Sequence, residues 1–147
     1  MKRGIIALLL ATITLLGYSQ IEDPVTWAYD SKDLGNNEFE LLFTASIEEG
    51  WHLYSQHLAS DDGPIATSFT FKETDSFKLI DDVKEPTPHT EYDPNFMMDL
   101  NFFEHKVVFT QKVKVLKEGE INITGEQEFM VCDASKCLPP EYPEFSF

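Results

Sequence analysis

An alternation of apolar and polar residues with a period of two runs through almost the whole chain beyond its first twenty residues. It is clear in Val25-Thr26-Trp27-Ala28-Tyr29 and in the longer Phe39–Ile47 segment. It recurs in Trp51–Tyr54, Ala66–Phe71, Phe77–Val83, Lys106–Val115, Glu120–Val131 and Glu144–Phe147. Successive side chains of a strand point to opposite faces, so this pattern buries one face and wets the other. The apolar positions are mostly β-branched or aromatic, which suits a pleated, half-buried surface. No segment of this region sustains helical spacing. Seven or eight short strands in one domain's length predict an all-β antiparallel sandwich, with an evenly spaced barrel as the structural alternative.

The residues Glu85–Leu100 interrupt the pattern. Pro86, Pro88 and Pro94 exclude a central strand over this stretch, which reads as a long loop. Its far end is unusually apolar, at Phe96-Met97-Met98, and a long loop in a compact domain is generally functional or mobile.

The first residues differ in kind. Lys2 and Arg3 precede an apolar run from Ile5 to Leu16, and small residues follow at Gly17-Tyr18-Ser19. The run is too short for a stable membrane span, so residues 1–19 are expected to be a signal peptide cleaved before Gln20. An uncleaved anchor is the alternative. The expected domain is then 20–147, periplasmic or secreted, without membrane insertion of the mature chain. Loss of Lys2 and Arg3 makes the net charge of −15 more negative by those two charges. Such an acidic surface disfavours nucleic acid and anionic lipid as partners.

Cys132 and Cys137 are the chain's two cysteines. An exported protein meets an oxidising compartment, where such a pair is generally bonded. Extended chain would hold their α-carbons roughly 16 Å apart, whereas a disulfide needs them within about 7 Å. The intervening Asp133-Ala134-Ser135-Lys136 must therefore turn back, and Asp133 and Ser135 suit a turn. As a staple so small a ring is weak: loop entropy gives about 2 kcal/mol, against nearly 5 for a ring of about 100 residues. A small ring at one edge of a fold is easily opened and re-formed, as thiol exchange requires. The residues alone leave both a local structural disulfide and a redox pair open.

The segment Gly50-Trp51-His52-Leu53-Tyr54-Ser55, followed far downstream by Val131-Cys132-Asp133-Ala134-Ser135-Lys136-Cys137-Leu138-Pro139-Pro140, resembles the N-terminal periplasmic domain of the DsbD thiol:disulfide interchange family. The resemblance extends over about residues 24–147. It implies an immunoglobulin-like fold and electron transfer through a redox-active Cys132–Cys137 pair. Cys137 would form the mixed disulfide with partners, and Cys132 would be the resolving thiol. The implied partners are thioredoxin-like redox proteins or other periplasmic thiol proteins, and no cofactor is implied. The family also shields its cysteines with a loop phenylalanine. By order and spacing Asp93-Pro94-Asn95-Phe96 occupies that place, which makes Phe96 the cap, with a plain core anchor as the alternative. The acidic residues beside the cap are only partly kept, in Asp93. His52 and Tyr54 fall where the family has aromatic residues near the cysteines, and either can tune thiolate formation or simply pack. Trp51 reads as core.

Other chemistry is weakly supported. The spacing of His52, His57, His89 and His105 does not supply a metal-ligand set, and Asp61-Asp62-Gly63 reads as a turn. There is no nucleophile elbow and no Gly-rich phosphate loop. The rival to redox exchange is an exported binding or structural module with a purely structural disulfide. A weaker rival is a small-ligand cleft roofed by Glu85–Leu100.

Overall fold

The computed structural model describes residues 22–147, and the expected signal peptide and its cleavage site lie outside the described residues. The described chain is all β, in eleven strands. The first sheet comprises β1 (Val25–Gly35), β2 (Glu38–Ile47), β5 (Phe77–Lys84) and β8 (Lys106–Val115), in the order β1-β2-β8-β5. The second comprises β3 (His52–Tyr54), β6 (His89–Asp93), β7 (Met98–Phe103) and β10 (Val131–Cys132), in the order β10-β3-β7-β6. The third comprises β4 (Ser68–Phe71), β9 (Thr124–Glu128) and β11 (Glu144–Ser146), in the order β11-β9-β4. Every strand pairing is antiparallel.

The alternation of side chains explains how these sheets close into an immunoglobulin-like sandwich. The inward residues of the first sheet are Leu41, Phe43, Ala45, Val107, Phe109 and Val113. They meet Leu53, Phe103 and Val131 of the second sheet and Phe145 of the third in one core. Phe43 is fully buried and lies 4.6 Å from Phe69 and 4.9 Å from Phe145, centroid to centroid. Phe103 meets Phe109 edge-on at 5.7 Å. Edge-to-face aromatic packing of this kind adds about 0.5–1.5 kcal/mol per pair beyond area burial. Closest contact occurs at Gly125 of β9, where a β-carbon would come within 2.2 Å of the Thr70 carbonyl oxygen and 2.3 Å of the Phe145 ring.

Two expected elements differ from the observed ones. Glu85–Leu100 is not a loop: it contains β6, the hairpin turn and the start of β7. The prolines flank these strands without interrupting them, because Pro86 and Pro88 precede β6 and Pro94 sits in the turn. β6 takes the sheet edge, but β7 is central, between β3 and β6. Secondly, Glu120–Val131 is not one strand. β9 ends at Glu128, and β10 resumes at Val131 in the neighbouring sheet. The second sheet thereby acquires a short terminal strand that ends on a cysteine.

Candidate functional site

The second sheet has two working faces. Leu53, Phe103 and Val131 point into the main core. Their strand neighbours Tyr54, Phe102 and Cys132 point the other way and, with Leu100, form a second buried cluster. Period two therefore places Cys132 on the outer face of a sheet whose inner face is locked by packing, and Cys137 packs against that face.

Cys132 and Cys137 are disulfide-bonded, with α-carbons 4.0 Å apart. Asp133 makes the turn between them. Its Oδ1 accepts hydrogen bonds from the Ser135 N–H at 2.7 Å, the Ser135 hydroxyl at 2.8 Å and the Lys136 N–H at 2.8 Å. The Asp133 N–H donates to the Lys136 carbonyl at 2.8 Å and closes the ring. The Ser135 N–H, more than any other group, holds the Asp133 carboxyl below its ordinary pKa. Lys136 is held by Glu22 at 2.6 Å and lies 5.7 Å over the Trp51 ring. That ion pair, chiefly its hydrogen bond, raises the ammonium pKa. The two cysteines are unequal. Cys132 is fully buried, whereas Cys137 is only half-buried.

Residues singled out from the sequence converge on this face. His52 is the cross-strand partner of Cys132. Tyr54, next but one on the same strand, is completely buried and donates its phenolic hydrogen to Asp93 Oδ2 at 2.5 Å. Burial first, and then the bond to the Asp93 carboxylate, push the phenol well above its ordinary pKa, so it stays protonated. Asp93 is itself 3 % exposed. Phe96, like Cys137, packs against the cluster that holds Cys132, and it meets Tyr54 edge-on at 6.1 Å. The β6–β7 turn presents it: the Met97 N–H bonds back to the Asp93 carbonyl at 2.8 Å, and Met97 takes a left-handed φ of 55°. Trp51 belongs to the main core, at 8 % exposure.

Three contributors escape a reading of the sequence. Asn95 ties the cap down: its amide donates to the Asp133 carbonyl at 2.8 Å, and its N–H to Asp93 Oδ1 at 2.8 Å. Its place in an Asp-Pro-Asn turn was the available signal. Phe102 stacks on the His52 ring at 3.9 Å and 11°. Glu104 lies 3.2 Å from His52 Nε2. Both would follow from the alternation Leu100-Phe102-Glu104 once β7 is recognised as a strand. Among the described residues, no group of three or more His, Cys, Asp or Glu side chains is arranged to hold a metal ion. No described helix is long and apolar enough to cross a membrane.

The family model described as "Thiol:disulfide interchange protein DsbD, N-terminal" matches residues 22–147. Among solved structures, the fold is similar to the N-terminal domain of DsbD from Neisseria meningitidis in its reduced form. The TM-score is 0.53 at 12 % identity, over 82 % of this chain and 83 % of that one. It is also similar to the N-terminal periplasmic domain of ScsB from Proteus mirabilis. There the TM-score is 0.61 at 15 % identity, over 85 % of this chain and 45 % of that one. No curated protein sequence matches the chain.

Proposed function

The chain belongs to the family of N-terminal domains of the thiol:disulfide interchange protein DsbD, and on that premise we propose that its Cys132–Cys137 pair passes electrons between periplasmic protein thiols. The observation that carries this reading is the unequal burial of the bonded cysteines at a sheet edge. β10 is a terminal strand, Cys137 is half-buried, and Cys132 is fully buried. Exchange depends on which sulfur is attacked, and the less buried of the two belongs to Cys137.

The chemistry is a two-step thiol–disulfide exchange. A thiolate of a reduced partner attacks Cys137 Sγ. A new bond forms between the partner sulfur and Cys137, the Cys132–Cys137 bond breaks, and the electron pair leaves on Cys132. The partner's second thiol then attacks the partner sulfur of the mixed disulfide. That releases Cys137 as a thiolate and leaves the partner oxidised. In the donating direction, the Cys137 thiolate attacks a substrate disulfide, and Cys132 attacks Cys137 Sγ to expel the reduced substrate. The partners are thioredoxin-like proteins or other periplasmic thiol proteins. Cys137 is the exchanging thiol, Cys132 the resolving thiol, and Phe96 the lid that keeps small thiols away until a partner displaces it. No cofactor takes part.

Trapping tests this reading. A Cys132→Ser variant, incubated with an oxidised thioredoxin-like protein, is expected to accumulate a mixed disulfide through Cys137 because nothing remains to resolve it. Accumulation only with Cys137→Ser would reverse the two roles. No mixed disulfide with either variant would remove the exchange function.

A further inference from the structure

Opening the ring by attack on Cys137 leaves the electron pair on a sulfur that is fully buried. A thiolate in apolar surroundings is strongly disfavoured unless a proton or a positive charge meets it. The face around Cys132 offers few groups able to do so. Tyr54 has its hydroxyl hydrogen committed to Asp93 and holds it firmly. Lys136 is committed to Glu22. Asp93 already accepts from Tyr54 and from the Asn95 N–H.

His52 is differently placed. It stands directly across from Cys132 in the β3–β10 register, so the two side chains share a face. Phe102 stacks on its ring at 3.9 Å and 11° and fixes the imidazole plane. Glu104 Oε1 lies 3.2 Å from Nε2, which leaves Nδ1 free of that carboxylate. A carboxylate on one ring nitrogen fixes the tautomer and leaves the other nitrogen as the acceptor. Both residues remain partly exposed, so the pair can exchange protons with solvent.

We propose that His52 and Glu104 form a proton-handling dyad for Cys132. This rests on the exchange reading above. When a partner thiolate attacks Cys137, the imidazolium of His52 gives its proton to the departing Cys132 sulfur. The products are a Cys132 thiol and a neutral imidazole with Nε2–H held by Glu104. In the resolving direction, Nδ1 takes the thiol proton as Cys132 attacks Cys137 Sγ. His52 is the acid–base group that meets the Cys132 sulfur, Glu104 is the residue that positions it, and neither touches a partner. The other titratable groups on this face are Tyr54 from β3 and His89, Glu91 and Asp93 from β6. His89 lies on the far side of the pair's stacking ring, its centroid 6.4 Å from Phe102.

The test isolates Cys132 in a Cys137→Ser background and follows thiolate absorbance near 240 nm against pH, with no partner present. Adding His52→Phe, which keeps an aromatic ring on Phe102, is expected to lower the apparent thiol pKa, because the S–H···Nδ1 hydrogen bond that holds the thiol proton is lost. Glu104→Gln, a change at a partly exposed side chain, is expected to shift it in the same direction by less. With the disulfide intact, His52→Phe is also expected to remove a limb from the pH profile of reduction by dithiothreitol. Titration curves that superimpose across all three proteins would overturn the dyad, even where Cys132→Ser still traps partners. A shifted curve in a protein that traps no partner would support the dyad and count against the exchange reading alone.

Discussion

The Asn95 side-chain amide donates to the Asp133 carbonyl at 2.8 Å, fastening the β6–β7 turn to the ring that contains both cysteines. The same turn is rooted through Asp93, which accepts from the Asn95 N–H and from Tyr54. The Phe96 loop is thus held at its base by a buried bond and at its tip by a half-exposed one. Displacing the tip breaks one hydrogen bond and leaves the base in place.

The first prediction concerns that lid. Phe96→Ala is expected to speed reduction of the disulfide by a small thiol such as glutathione, because the ring that packs against the cysteine cluster is gone. Stability should fall by about 1–3 kcal/mol from lost burial. Asn95→Ala should give a smaller acceleration by freeing the tip alone. Stopped-flow reduction rates check both, and an unchanged rate in Phe96→Ala would remove the lid role.

Tyr54→Phe leaves the Asp93 carboxylate, 3 % exposed, without its phenolic donor. Denaturant unfolding at neutral pH should show a loss of about 1–3 kcal/mol. The pH dependence follows from the raised phenol pKa, caused by burial and then by Asp93. A group bound to its proton more tightly when folded contributes fully below its unfolded value, near 10, and that contribution is lost as pH rises beyond it. Wild-type stability should therefore fall on the alkaline side, and the fall should be shallower in Tyr54→Phe. Equal alkaline slopes would contradict the assignment.

Asp133→Ala removes the acceptor that three donors share in the turn between the cysteines. The two thiols should meet less often, so the redox equilibrium with a glutathione buffer shifts toward the reduced form. The Asp133 carboxyl is held low by the Ser135 N–H, so its support for the ring is present above the ordinary carboxylate value. That support fades as pH falls through the depressed folded value. An unaltered equilibrium in Asp133→Ala would show that the turn closes without it.

Much of this was legible in the sequence, for reasons specific to each element. Lys106–Val115 matches β8 residue for residue because Val107, Phe109 and Val113 keep the period of two across the one polar inward residue, Gln111, which is itself buried. The turn at Asp133 followed from chain geometry, since two linked cysteines five positions apart leave no extended path. The β6–β7 hairpin was hidden because β6 carries His89, Thr90, Glu91 and Tyr92 exposed at a sheet edge, so it has no apolar stripe to read. The break after β9 was hidden because Phe129 and Val131 keep the alternation while the chain changes sheets. At the site, the ring and Phe96 carried sequence signals. The contributions of Asn95 and Glu104 depend on which strands lie side by side.

Gly125→Ala tests the sandwich apart from the site. A β-carbon there would overlap the Thr70 carbonyl of the paired strand β4 and the Phe145 ring of the core. The backbone cannot give way without separating β9 from β4 or displacing β11, so a loss of about 3 kcal/mol is expected. Thermal melts should show it, and a melting temperature equal to wild type would mean the third sheet is looser than its packing implies.

The central claim is that the Cys132–Cys137 bond is exchanged rather than kept. Its midpoint potential, measured by equilibration with glutathione or dithiothreitol buffers and thiol alkylation, tests this most directly. An exchange pair should titrate above about −300 mV, within reach of thioredoxin-like donors. A midpoint well below about −300 mV would mark a structural bond and contradict the account.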